Sequence, residues 1–549
     1  MVNPIASSAA NRLAVDVRVM PWIRRLTADY VGDFGNLAPF FSGNPNDPAA
    51  WRAAIARAQQ AERPRADIAA ALVSQQQRHG APAAAEAAAA RLADPETVAI
   101  VTGQQAGLFG GPLYTLLKAL TAIRIAADLR AVHGAPAVPV FWIESEDHDW
   151  NEVATCWVLD REMQRRAITL PRLPGAAIAP VARIRLDATA GPAIDALQET
   201  LATTEFTAAL VEQLRESYRT DVTMSQAFAT WMTRVLGEHG LVVFDAADPA
   251  VKEFVRPVFA REIREAGRTT EQAANAGRDL ESRGYHAQVV PNEDSLALFH
   301  LDGAREPIAR TGDGFIVGTA KRSASDLLKE LDERPAAFSP NVLLRPLVQD
   351  SVLPTTAYVA GPNELAYLGQ LRSVYDRFGV AMPLMVPRAS ATLLDSASLR
   401  FVTKTGLRFE TLARDDEAEL NRFLEQQLPP SVERAWRDAE AGIGRQMQAL
   451  IEAVPLIDPT LEGAAKSALG RMKHDLETLH GKILQAAKRR NETLRRQFGH
   501  ARALAFPGGE PQERAVGFVY FLNQYGPALV DRLLAELPID ARHHWVLSI

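Results

Sequence analysis

The stretch TVAIVTG, residues 97–103, is a short run of β-branched and small apolar residues that ends in glycine. A glycine-rich loop follows, and an apolar-periodic stretch then occupies residues 112–130. After His133-Gly134 a second buried-type run appears, VPVFWIES at 138–145. Strand, loop, helix and strand in that order form the βαβ unit of a parallel sheet.

Two further runs share the continuous apolar character of strands covered on both faces: LVVFDA at 241–246 and MPLMVPR at 382–388. They lie far apart, so one α/β core with insertions is more economical than two sheets. The insertions are expected at residues 160–235 and 260–340. Residues 1 to about 95 read mostly as helix, with Asp47-Pro48 as an N-cap followed by proline at the first helical position. The alanine-rich run 83–90 is a helix former rather than a linker. Beyond about Glu410 the period becomes heptad-like. Ala465, Leu469, Met472, Leu476, Leu479, Ile483 and Ala486 step by fours and threes, and Val432, Trp436, Ala439 and Ile443 keep the same step. Pro455 and Pro459 permit a turn between the two stretches, which predicts a projecting antiparallel hairpin.

Composition excludes several classes. At 549 residues, 47% hydrophobic and 23% charged, the chain is an ordinary globular protein of two or three structural units. A formal net charge of −6 gives no general attraction to phosphate backbones, so no nucleic-acid partner is expected. Lys488-Arg489-Arg490 with Arg495-Arg496 reads as a solvated helix face. The single cysteine, Cys156, rules out an intramolecular disulfide and a Cys-rich zinc site, and its apolar surroundings predict a packed, inert thiol. The opening MVNPIASSAANRLAV does not have the pattern of a signal peptide, and no apolar run is long enough for a membrane span, so a cytoplasmic location is expected.

Four constellations could carry chemistry. In the first, Gly103, Gln104, Gln105, Gly107 and Gly111 precede a helix whose first turns hold Tyr114 and Lys118 on one face. Glycines let backbone amides approach an anion, and a helix start adds a positive end. The second is FWIESEDHDWNE at 141–152. It crowds carboxylates, including Glu146, Asp147 and Asp149, around His148, and a substrate amine, a cation or a proton would relieve that crowding. A divalent metal is conceivable there but not required. The third, AYVAGPNELAY at 357–367, puts Asn363 and Glu364 at a Gly-Pro turn. The fourth, VPRAS at 386–390, ends a buried strand with Arg388, which could clamp a carboxylate or phosphate, and is followed by Ser390.

Together, in this order, TGQQAGLFGGPLYTLLK, FWIESEDHDWNE, AYVAGPNELAY and VPRAS resemble the bacillithiol biosynthesis cysteine-adding enzymes. QERAVGFVYFLNQYGPALV at 512–530 adds a fifth match. The resemblance implies a Rossmann-like, nucleotidyltransferase-type core over residues 1–405 and an antiparallel coiled coil over 406–505. A segment at 506–549 would pack back on the core, and the chain would be a homodimer through the coiled coil. Gly111-Pro112-Leu113-Tyr114 is similar to the start of the nucleotide signature of class I aminoacyl-tRNA synthetases, with Tyr114 where a histidine is expected. The implied reaction is a ligase step adding cysteine to the amine of glucosaminyl malate.

Such an amide bond needs an activated carboxyl group and a neutral amine, and ATP, with Mg possible, is the expected activator. His148 or Asp147 would take the amine proton, while Tyr114, Lys118 and Arg388 would hold developing negative charge. Gln104, Gln105, Glu146, Asp149, Asn363, Glu364 and Arg388 are expected to contact substrate. Gly103, Gly107, Gly111, Ser390, Asn523 and Tyr525 are expected near the nucleotide. No tightly bound metal is expected. The competing readings are a coiled-coil scaffold or ligand-binding protein without catalysis, and an aminoacyl ligase acting on a different amine.

Overall fold

The structure, a computed structural model, describes residues 12–173, 179–312, 314–414, 418–426, 430–490 and 492–549. The apolar runs form five strands: β1 (Val98–Gln105), β2 (Ala137–Glu144), β3 (Val242–Asp245), β4 (Thr355–Ala360) and β5 (Leu384–Pro387). Their spatial order is β5-β4-β1-β2-β3, and every neighbouring pair is parallel. Val98 and Ile100 of β1 pack on one face with Ala122, Ile125 and Leu129 of the helix α1 (Leu113–His133). Ala99 and Val101 pack on the other face with Val138, Val140 and Phe244. Burial on both sides explains why these strands read as unbroken apolar runs.

The chain runs from β1 through α1 to the neighbouring β2, then from β3 back across the sheet to β4 on the far side of β1. Strand order therefore reverses between β1 and β4, and in open α/β sheets ligands bind at the carboxyl edge beside such a reversal. Between β2 and β3 lie an antiparallel hairpin, Thr155–Leu159 with Arg165–Thr169, and three helices, Ala190–Thr200, Thr207–Ser217 and Met224–Leu236. Between β3 and β4 lie four helices, Pro249–Arg264, Arg268–Ser282, Ala324–Glu333 and Arg345–Val352, and an antiparallel five-stranded sheet whose strands fall between Ser295 and Pro340.

Local rules hold where no distant partner interferes. Asp47 caps the helix Pro48–Gln60 by accepting from Ala49 N, and Pro48 is its first residue. The alanine run forms the helix Ala83–Arg91, and Gly134 ends α1 in the left-handed region (φ 69°). Cys156 is buried, and burial pushes its thiol up to about 12, out of nucleophilic range at neutral pH.

Two compact units divide the chain. Among the described residues, the larger falls within 14–392 and 512–547, and the smaller within 12–13, 393–511 and 548–549. In the smaller unit, helices Pro430–Ala453 and Leu461–Arg490 pack together, and Trp436 stacks on His480 with ring centroids 4.3 Å apart. Leu469, Leu476 and Ile483 of the expected seam are half-buried, but Met472 and Leu479 are 43% and 52% exposed. The heptad pattern thus marks a stripe wider than this hairpin covers. Residues 1–11 and the side chains of Lys488, Arg489 and Arg490 lie outside the described residues. Among the described residues no helix is long and apolar enough to cross a membrane.

Candidate active site

A cavity of about 650 Å³ opens at the carboxyl edge of the sheet, at the reversal between β1 and β4. The end of β1 brings Gly103, Gln104 and Gln105 to it; the end of β2 brings Glu144, with Asp147 just beyond. The turn after β4 adds Gly361, Asn363 and Glu364, and the turn after β5 adds Arg388. Tyr114 and Lys118 reach it from the first two turns of α1. Segments up to 285 residues apart in sequence therefore share one crevice because parallel strands end on one edge.

The structure also shows what each charge is already doing. Lys118 is buried, donates to Gly103 O at 2.6 Å and pairs with Glu364 at 2.5 Å, so its charge is matched within the protein. Glu364 is held below its ordinary range, against the opposing pull of burial, by Lys118, by the Gly361 N–H and by the Tyr358 hydroxyl. Arg388 does clamp a carboxylate bidentately, but it is the protein's own Glu513, at 2.6 and 2.8 Å. That buried pairing overcomes desolvation and holds Glu513 down at about 2. Glu146 turns into the core and pairs with buried Lys252, so it does not face a substrate amine.

Asp147 accepts from Gln105 Nε2 at 2.8 Å and Arg305 Nη1 at 3.1 Å. His148 does not line the cavity; its side chain is 44% exposed and its Nδ1 lies 3.4 Å from Arg305 Nη1. Asp149 also stays outside and caps the short helix Trp150–Val153 by accepting from Glu152 N.

The glycine loop has a structural occupant. Leu113 N donates to Val516 O at 2.8 Å, Phe518 N donates to Gly111 O at 3.1 Å, and Trp231 Nε1 donates to Phe109 O at 3.0 Å. The amides of Gly110 and Gly111 are taken by Gly107 O and Leu108 O. Gly110 has φ 94°, and a β-carbon there would fall 2.2 Å from the Phe518 ring. Gly110 thus lets the C-terminal helix Phe518–Tyr525 close on the loop, and the segment holding Gly107 and Gly111 is a seat for that helix in place of the expected anion cradle. Ser390 donates to Glu513 at 3.0 Å, and Asn523 is satisfied by Ala202 O and Thr207 Oγ1. Neither they nor Tyr525 line the cavity.

Sequence reasoning passed over Glu144, Arg305, Arg345, Glu152 and Arg514. Glu144 ends β2, with one carboxylate oxygen 3.4 Å from Arg345 Nε and no hydrogen-bond partner for that oxygen among the described residues. Burial pushes Glu144 up to about 7, against the opposing pull of Arg345. Its position at the end of a core strand was the available signal; nothing local separated it from three other acids in FWIESEDHD. Among the described residues no three His, Cys, Asp or Glu side chains converge as a metal-ion set.

A parallel sheet with a reversal point, and at that point an enclosed crevice holding a carboxyl group poised near neutrality among cations, defines a Rossmann-type α/β protein with an enzyme-like ligand site. The comparisons make this specific. Residues 14–389 match the family description "Bacillithiol biosynthesis BshC, N-terminal Rossmann-like domain", and residues 391–549 match its C-terminal coiled-coil domain. A relative in Salinibacter ruber is 35% identical over 95% of this chain and 96% of its own, and one in Koribacter versatilis is 37% identical over 94% and 96%. One in Chlorobaculum tepidum is 34% identical over 81% and 82%. All three carry the provisional name cysteine ligase BshC. The chain belongs to the BshC family of bacillithiol biosynthesis.

Proposed function

We propose that this protein is a ligase that joins L-cysteine to the amine of glucosaminyl malate, the last step of bacillithiol formation, with ATP as the energy source. The family's relatives bear the cysteine ligase name, and the cavity supplies chemistry suited to that step. The observation that carries the reading is Glu144, a half-buried carboxyl pushed up to about 7 at the carboxyl edge of β2. A general base works best when its pKa lies near the operating pH.

In this reading the nitrogen of the glucosamine attacks the activated cysteine carbonyl carbon, the bond from that carbon to the phosphate or adenylate oxygen breaks and releases phosphate or AMP, and the nitrogen's proton passes to Glu144. Asp147, tied to Arg305 and Gln105, fixes the neighbouring wall, and His148 stands outside the cavity and does not take the proton. Tyr114 keeps its own proton, since burial pushes its phenol up to about 12, so it remains a hydrogen-bond donor on the cavity wall.

Amide formation from a free carboxylate and an amine needs an external energy source, and ATP is the one proposed. The glycine loop does not fit as a phosphate cradle, because the amides of Gly107, Gly110 and Gly111 are committed to protein acceptors. No nucleotide residue is therefore assigned there. Purified protein incubated with cysteine, glucosaminyl malate and magnesium ATP should form the amide, read by mass spectrometry. Absence of product with all three present would reject the reading, and product formed equally well without ATP would reject the energy source. The exposed Met472 and Leu479 on the helical hairpin support a homodimer contact through that hairpin.

A further inference from the structure

Among the described residues five cations line the cavity, and four of them face a carboxylate: Lys118 with Glu364, Arg305 with Asp147, Arg345 with Glu144 and Arg388 with Glu513. The fifth is Arg514. Among the described residues it has no carboxylate within ion-pairing distance and no hydrogen-bond acceptor; its guanidinium lies 5.9 Å from the centroid of the Tyr114 ring. Arg514 is half-buried, so its guanidinium fork meets the cavity with no anion opposite it and is free to donate bidentately to a ligand carboxylate.

The position of Arg514 is fixed from both sides. It sits in the short helix Gln512–Ala515, whose other three residues are buried. Glu513 is locked to Arg388, and just beyond, Val516 O holds the first amide of α1. Arg514 therefore meets the cavity already placed, so little ordering is lost when an anion arrives. Beside it, the Tyr114 hydroxyl accepts from Gln104 Nε2 at 3.4 Å, while its own hydrogen has no acceptor among the described residues.

We propose that Arg514, assisted by the Tyr114 hydroxyl, is the anchor for a substrate carboxylate and so determines which substrates bind. This rests on the functional reading above for the identity of that substrate, though not for the anion site itself. Two sources share the chemistry: the carboxylate of cysteine, and the dicarboxylate end of the glucosamine conjugate.

The test compares wild type, Arg514→Lys and Arg514→Gln by steady-state kinetics on each substrate, by calorimetry with malate alone and by thermal melting. Losing one charged partner of an enclosed pair predicts that Arg514→Gln raises KM for one substrate by roughly thirtyfold or more. KM for the other substrate, kcat and the melting temperature should change little. Arg514→Lys should recover part of the loss, because lysine restores the charge but not the planar fork. Which KM moves identifies the carboxylate. Unchanged KM for both substrates in Arg514→Gln overturns the proposal, and so does an equal rise in both accompanied by a lower melting temperature. If wild type turns over neither substrate, the functional reading fails by itself. Malate binding lost in Arg514→Gln would then still support the anchor, and malate binding retained in that variant would overturn it.

Discussion

Replacing Glu144 by glutamine keeps the side chain's shape and removes its ability to ionise. The folded state raises this carboxyl from 4.5 to about 7. Each pH unit of such a rise corresponds to about 1.4 kcal/mol, so the ionised carboxylate costs the folded protein up to about 3 kcal/mol. The side chain keeps 21% exposure, which makes that figure an upper value. The sign follows from proton counting. Between 4.5 and about 7 the folded state holds the proton and the unfolded state has lost it, so this group makes the fold less stable as pH rises, with the full cost present above about 7. Glu144→Gln is relieved of that cost. In urea denaturation the variant should exceed wild type by up to about 3 kcal/mol at about pH 8, and by only about 1 kcal/mol near pH 5.5. Turnover should fall in the opposite direction, by roughly a hundredfold or more, the usual loss for a general base. The wild-type kcat/KM should decline as pH drops below about 7, where the base becomes protonated. His148→Ala serves as the control and should keep turnover within about tenfold of wild type, since His148 lies outside the cavity. Equal stability of Glu144→Gln and wild type at the higher pH, or full turnover in the variant, would refute the reasoning.

Other expectations follow from buried pairs and close approaches. Glu513→Ala strands Arg388 in the interior and should cost about 3–5 kcal/mol in chemical denaturation. Because Glu513 is held down at about 2, its contribution in wild type is present above about 4.5 and fades as pH falls toward 2, so the stability gap between wild type and variant should close in acid. Gly110→Ala combines a left-handed backbone with a clash against Phe518 and should lower the melting temperature sharply. Adding Phe518→Ala should not restore it, because the backbone strain remains. Met472→Glu with Leu479→Glu should halve the mass seen by light scattering; an unchanged mass would place any dimer contact elsewhere.

Much of the fold was legible because its signals are local. TVAIVTG, VPVFWIES, LVVFDA and MPLMVPR read as strands because parallel strands are covered on both faces, and each lies on a strand of one sheet. β1 runs on to Gln105, so Gln104 and Gln105 sit on the strand rather than in the loop. The convergence of Gly103, Glu364 and Arg388 on one edge also followed from the sequence, since parallel strands deliver their carboxyl ends together. The heptad step was visible as well, but periodicity alone does not say which apolar positions the partner helix covers, and Met472 and Leu479 were left out.

The sequence by itself determined that there would be one parallel sheet, a helical hairpin and a charged crevice at the strand ends. Tertiary structure alone decided which of those charges are free. Arg388 finds Glu513 at a separation of 125 residues, and Glu146 finds Lys252 at 106, and each pairing withdraws a residue that local reading had offered to a substrate. The glycine loop became a seat for Phe518, 408 positions beyond Gly110. Glu144 and Arg514 acquired their places by the same physics. A charge's reactivity depends on what opposes it within a few ångströms and on how much water it keeps, and both are set by segments that meet only when the chain has folded.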